Sequence, residues 1–153
     1  MHMRLAKFAF ALAGIVLGVA TAAPTADTAY RRVVDGVAVY FGVMPAELVR
    51  GHPQEHPEGQ MHGGVPVGEN HIMVALFEGK TGKRITRAEV TATITGPGNF
   101  KAEKKLEPMI IAGAATFGNY FNMLGPGPYR IALRIRTPGI GHDIEATFTW
   151  ARS

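Results

Sequence analysis

The sequence predicts an all-β fold, a single antiparallel sandwich of about seven short strands, and three observations carry that expectation. Apolar and polar residues alternate with period two in several separate stretches. Segments rich in glycine and proline separate those stretches. Beyond residue 22, no long stretch carries an amphipathic pattern of helical period.

The strand readings follow in chain order. Val33 to Val43 alternates, with Val37, Val39, Phe41 and Val43 on one face; Met44-Pro45 ends it, and Ala46 to Arg50 fits one helical turn. His71–Glu78 leads into the turn-rich Gly79-Lys80-Thr81-Gly82-Lys83, after which Arg84–Thr86 prolongs the strand. Glu89–Thr95 sets Val90, Ala92 and Ile94 against Thr91, Thr93 and Thr95, and Gly96-Pro97-Gly98-Asn99 turns the chain. Phe100–Ile111 is a weaker strand, broken near Pro108, and such a proline belongs on a sheet edge. Ala114–Met123 follows. Gly125-Pro126-Gly127-Pro128 then turns into Tyr129–Arg136, with Tyr129, Ile131, Leu133 and Ile135 inward and Arg130, Arg134 and Arg136 on a solvated outer face. That turn fits a tyrosine corner, in which a buried hydroxyl bonds back to the backbone. Asp143–Ala151 repeats the alternation, with Ile144, Ala146, Phe148 and Trp150 inward.

Residues 1–22 read as a cleavable export signal. Arg4 and Lys7 precede the apolar run Phe8–Ala20, and Ala20-Thr21-Ala22 is a small-x-small cleavage pattern. The run is shorter than the roughly 20 apolar residues of a spanning helix. Export to the periplasm is the expectation, with a mature form that does not span the membrane, a flexible leader over 23–32 and one sandwich domain over 33–153. Cleavage removes two basic residues and no acid, so the net charge of +4 falls to +2. So small a charge argues against a nucleic-acid binder, which would show a basic stripe and aromatic platforms. There is no cysteine, so any soft-metal site must use methionine sulfur, which an oxidising compartment cannot remove as disulfide.

Residues 51–70 hold the chemistry. Gly51-His52-Pro53-Gln54-Glu55-His56-Pro57-Glu58-Gly59-Gln60-Met61-His62-Gly63-Gly64 places three imidazoles, a thioether and two carboxylates in a stretch whose prolines and glycines exclude helix and strand. His71 and Met73 follow on one face of the next strand, while Ile72, Val74 and Leu76 form the opposite core stripe. The His71 face continues with apolar Ala75 and Phe77, so something should cover it. If the preceding loop folds back, His56, Met61 or His62 can approach His71 and Met73. Gathered nitrogen and soft sulfur donors suit copper best, Cu(I) in particular, with zinc or nickel as alternatives in which Glu55 and Glu58 take part. The candidate ligands are therefore His71, Met73, His62, Met61, His56 and His52. His142 joins them only if its turn lies at the same end of the sandwich. Met44, Met109 and Met123 are dispersed; Met109 and Met123 flank strands and read as core or rim.

An enzyme is not expected. Ser153 is the sole serine, cysteine is absent and there are three aspartates, so serine triads and thiol nucleophiles have no material. Gly125-Pro126-Gly127-Pro128 lacks the following helix that a phosphate-cradling motif requires.

Between Thr81 and Trp150, the segments Gly82-Lys83-Arg84-Ile85, Ala88-Glu89-Val90, Ala115-Thr116-Phe117-Gly118-Asn119-Tyr120 and Gly127-Pro128-Tyr129-Arg130-Ile131 carry a family likeness. Their layout resembles small bacterial periplasmic immunoglobulin-like domains, namely the YtkA-like family and the copper-binding periplasmic proteins that accompany Ftr-type iron permeases. The resemblance implies an immunoglobulin-like sandwich with copper held at its surface by histidines and a methionine. Here those parts fall to His71 and Met73, with donors from the upstream loop. His71-Ile72-Met73 is also similar to the His-x-Met pair of periplasmic copper chaperones that serve cytochrome oxidase, but Met61 lies ten positions before His71, which departs from their spacing. The expected role is copper buffering or delivery, with an envelope metal transporter or acceptor protein as partner. The alternative is an envelope interaction module in which the histidines are incidental.

Overall fold

The computed structural model describes residues 27–46 and 69–152. The expected signal (1–22) and the candidate ligands His52, His56, Met61 and His62 lie outside the described residues. The described chain is an antiparallel β-sandwich of nine strands: β1 (Arg31–Val34), β2 (Val37–Pro45), β3 (Asn70–Glu78), β4 (Arg84–Ile85), β5 (Glu89–Gly96), β6 (Phe100–Ile111), β7 (Ala114–Phe121), β8 (Tyr129–Arg136) and β9 (Ile144–Trp150).

Two strands exceed the expected seven, each for a local reason. Asp35 and Gly36 both take positive φ, 49° and 76°, and make a tight hairpin where one strand over Val33–Val43 was expected. Val34 then pairs with Val37, and β1 begins at Arg31, inside the stretch assigned to the leader. The second difference is β4, which does not prolong β3 but folds back on it, Leu76 opposite Ile85 and Phe77 opposite Arg84.

The strands follow one another in the order β1-β2-β3-β7-β6-β5-β8-β9, with β4 paired to β3. Strand β6 belongs to both layers. Phe100–Leu106 pairs with β5, and Glu107–Ile111 pairs with β7. The expected break at Pro108 does not occur, because there β6 has left β5 and its other side carries no ladder to interrupt. At the far ends of the order β1 comes against β9, so the sheet nearly closes on itself.

Alternation builds the core. Ile72, Val74 and Leu76 of the first layer face Ile94, Ile131 and Leu133 of the second, all at 1% exposure or less. Phe41 and Phe148 stack across the layers at 4.8 Å, and the Arg32 guanidinium covers the Phe148 ring at 5.1 Å. The tyrosine corner is present: the Tyr129 hydroxyl accepts from Gly125 N–H at 3.0 Å and lies 3.4 Å from Gly125 O. Among the described residues, no helix is long and apolar enough to cross a membrane.

Candidate metal centre on the outer face of the first layer

Strand β3 points Ile72, Val74 and Leu76 inward, so His71, Met73, Ala75 and Phe77 lie on the outer face. An outward position is ordinarily wet, yet His71 is fully buried. Its imidazole stacks on the Tyr120 ring, centroids 4.5 Å apart and planes 23° from parallel. Register places Met44 of β2 on one side of His71 and Tyr120 of β7 on the other.

The next row of the same face reads Gly42, Met73, Gly118 and Glu107, across β2, β3, β7 and β6. Met73 is thus flanked by two residues without side chains. Gly118 is required by close approach: a Cβ there would lie 2.7 Å from His71 Nε2, 2.9 Å from Met109 Sδ and 2.9 Å from Ile72 O. Imidazole nitrogen and thioether sulfur therefore converge above Gly118, no more than the sum of those first two distances, 5.6 Å, from each other. Met109 is 3% exposed, while Met44 and Met73 are half-buried.

The neck of the histidine-bearing connection is held beside this site. Ala46 N–H donates to Glu69 O at 2.8 Å, next to the Pro45–Asn70 pair. Buried Asn70 donates from Nδ2 to Met123 O at 2.9 Å, which ties the start of β3 to the chain leaving β7. Ala46 and Glu69, the described residues that flank 47–68 and so the positions of His52, His56, Met61 and His62, thus lie two positions along from the Met44–His71 pair.

Other candidates fall elsewhere. The Asp35-Gly36 turn lies at the Glu78 end of β3, where Gly79 N–H donates to Gly36 O. His142 Nε2 lies 3.0 Å from Asp35 Oδ2 at that same end, about 23 Å along the strand from His71 at ~3.3 Å per residue. It is not part of the centre. Met123 is fully buried in the inner core. Met44 and Met109 are on the His71 face, which sequence reasoning missed, because cross-strand register decides it and one strand's periodicity does not. The Arg130–Arg136 row behaves as a solvated face, with Arg136 against Asp143 at 2.9 Å and Arg130 donating to Thr147. Among the described residues, no three His, Asp or Glu side chains converge as a metal site would need.

No family model matches the chain, and no curated protein matches it either. Solved structures do. A copper-bound variant of P19 from Campylobacter jejuni superposes with a TM-score of 0.64 at 12% identity, covering 80% of this chain and 93% of that one. A copper-bound variant of FetP from uropathogenic Escherichia coli gives 0.62 at 14% identity over the same shares. A DUF4426 family protein from Pseudomonas aeruginosa gives 0.58 at 13% identity, again over 80% and 93%. The resemblance drawn from the strand-and-turn pattern therefore holds at the level of fold.

Proposed function

We propose that this chain is an exported, non-enzymatic metal-binding protein that takes up Cu(I) at His71 and Met73, with further donors from the connection carrying His52, His56, Met61 and His62. The observation that carries this reading is the buried His71 imidazole on an outward sheet position, with the Met109 sulfur sharing the space above Gly118 and Met44 as its cross-strand neighbour. Among the described residues, nitrogen and thioether sulfur gather on this face without clustered carboxylates, a donor set that suits a soft monovalent ion better than a hard divalent one. The copper-bound state of two structural neighbours, FetP and P19, supports the same cargo. Zinc or nickel is the alternative in which Glu55 and Glu58 take part.

The protein's own part is positional. Tyr120 fixes the plane of the imidazole by stacking, and the β-sheet fixes the spacing of the donors. The role is buffering or delivery in the periplasm, with an envelope metal transporter or acceptor as partner. The test is a chelator-competition titration of the mature protein from Ala23 with Cu(I), Cu(II), Zn(II) and Ni(II), beside a His71→Ala/Met73→Ala double variant. One tight Cu(I) site that disappears in the variant is the expected result. Weak binding of several metals, unchanged in the variant, would leave an interaction module with incidental histidines.

A further inference from the structure

Strand β6 pairs with β5 as far as Leu106 and with β7 from Glu107 onward. Glu89, the first residue of β5, pairs with Arg136 of β8 and has no partner on β6. The layers part where β6 leaves, and a cleft of about 590 Å³ opens there. Ala88 and Pro138, which flank β5 and β8, bound it on one side, and Pro108 and Phe117 on the other. Phe117 pairs with inward-facing Val74, so the cleft lies on the core side of β7, whereas His71 points outward from β3.

These walls give water little to hold. Proline has no N–H, and alanine and phenylalanine side chains carry no polar atom, so an apolar group gains by displacing water there. The volume falls within the ~300–1,000 Å³ of small-molecule sites, which favour the mouths of barrel-like sheets. Thr137 donates from Oγ1 to Arg87 O at 3.2 Å and holds the rim together.

Charge at the rim selects among apolar ligands. Arg136 is already matched, with Asp143 at 2.9 Å and Glu89 at 3.9 Å. Arg87 is exposed and, among the described residues, has no carboxylate partner. One uncompensated guanidinium thus stands beside an apolar cleft.

We infer that this cleft binds small amphipathic carboxylates, with the apolar chain against Phe117, Pro108 and Ala88 and the carboxylate on Arg87. A cationic amphiphile finds no such counter-charge, because Glu89 faces Arg136. The site is separate from the copper reading and does not depend on it.

The competing explanation is a cleft that only marks the strand crossing and stays filled with water. Two-dimensional NMR of the mature protein, titrated with octanoate, octanol, octylammonium and acetate, separates the two. Octanoate should saturate, shifting the Ala88, Phe117 and Thr137 amides and leaving the His71 amide in place. Octanol should bind about fivefold more weakly, as fits the loss of an ion pair at an exposed rim. Octylammonium should bind more weakly still, and acetate, which lacks the chain, not at all. Arg87→Gln alters an exposed side chain, so the fold should be retained, with octanoate affinity about fivefold lower and octanol affinity unchanged. Cleft amides indifferent to millimolar octanoate would overturn the inference. Equal affinities for octanoate, octanol and octylammonium, unaltered by Arg87→Gln, would overturn it too and leave an unselective apolar crevice.

Discussion

Gly118→Ala puts one methyl group into the space on which the candidate centre depends. The new Cβ would sit 2.7 Å from His71 Nε2 and 2.9 Å from both Met109 Sδ and Ile72 O. The two side chains can retreat; the Ile72 carbonyl belongs to the β3 backbone and cannot. Overpacking of this kind costs about 1–3 kcal/mol. Against it, Gly118 lies in β7 without a positive φ, so alanine is conformationally acceptable and restricts the unfolded chain, a gain of about 0.4–1 kcal/mol. The clash wins, and the net loss should be about 1–2 kcal/mol. With a urea m-value of about 2 kcal/mol/M, as for a small domain, the unfolding midpoint falls by about 0.5–1 M. Trp150, the only tryptophan, packs half-buried beside Tyr129 at 6.0 Å and reports the transition by fluorescence. Cu(I) affinity should fall in the same variant, because the imidazole and thioether are pushed apart. A midpoint at or above the wild-type value would refute the reasoning, since it would mean that nothing rigid closes on that space.

Tyr129→Phe removes the hydroxyl that accepts from Gly125 N–H and should cost about 1–2 kcal/mol in urea denaturation, with metal binding untouched because Tyr129 belongs to β8 of the second layer and not to the His71 face. His142→Ala should change stability by no more than about 0.5 kcal/mol, as expected for the loss of an exposed contact with Asp35, and should leave Cu(I) affinity at the wild-type value. A loss of copper in that variant would move the centre to the other end of the sandwich.

Much of the fold was legible because half-buried strands write their inner face in period two. Val90, Ala92 and Ile94, and likewise Ile131, Leu133 and Ile135, are buried as the alternation required. The failures are local and physical. Asp35-Gly36 is a strong hairpin signal, yet it interrupts the valine-rich stretch so briefly that the alternation of β2 masks it. Pro108 looked like a strand break because the sequence cannot show that β6 changes partners just before it. The candidate centre was half legible. His71 and Met73 share a face by spacing alone, whereas Met44, Met109, Tyr120 and Gly118 join them only through cross-strand register. The one sequence clue was Gly118 itself, a glycine in the middle of a strand, which marks a place where something approaches the backbone closely.

Copper K-edge X-ray absorption of the mature protein carrying one equivalent of Cu(I) addresses the central claim most directly. An edge of Cu(I) shape, with both nitrogen and sulfur among the nearest neighbours and the sulfur contribution reduced in Met73→Leu, is the expected result. Nearest neighbours of nitrogen and oxygen alone would contradict a thioether-bound ion on the His71 face.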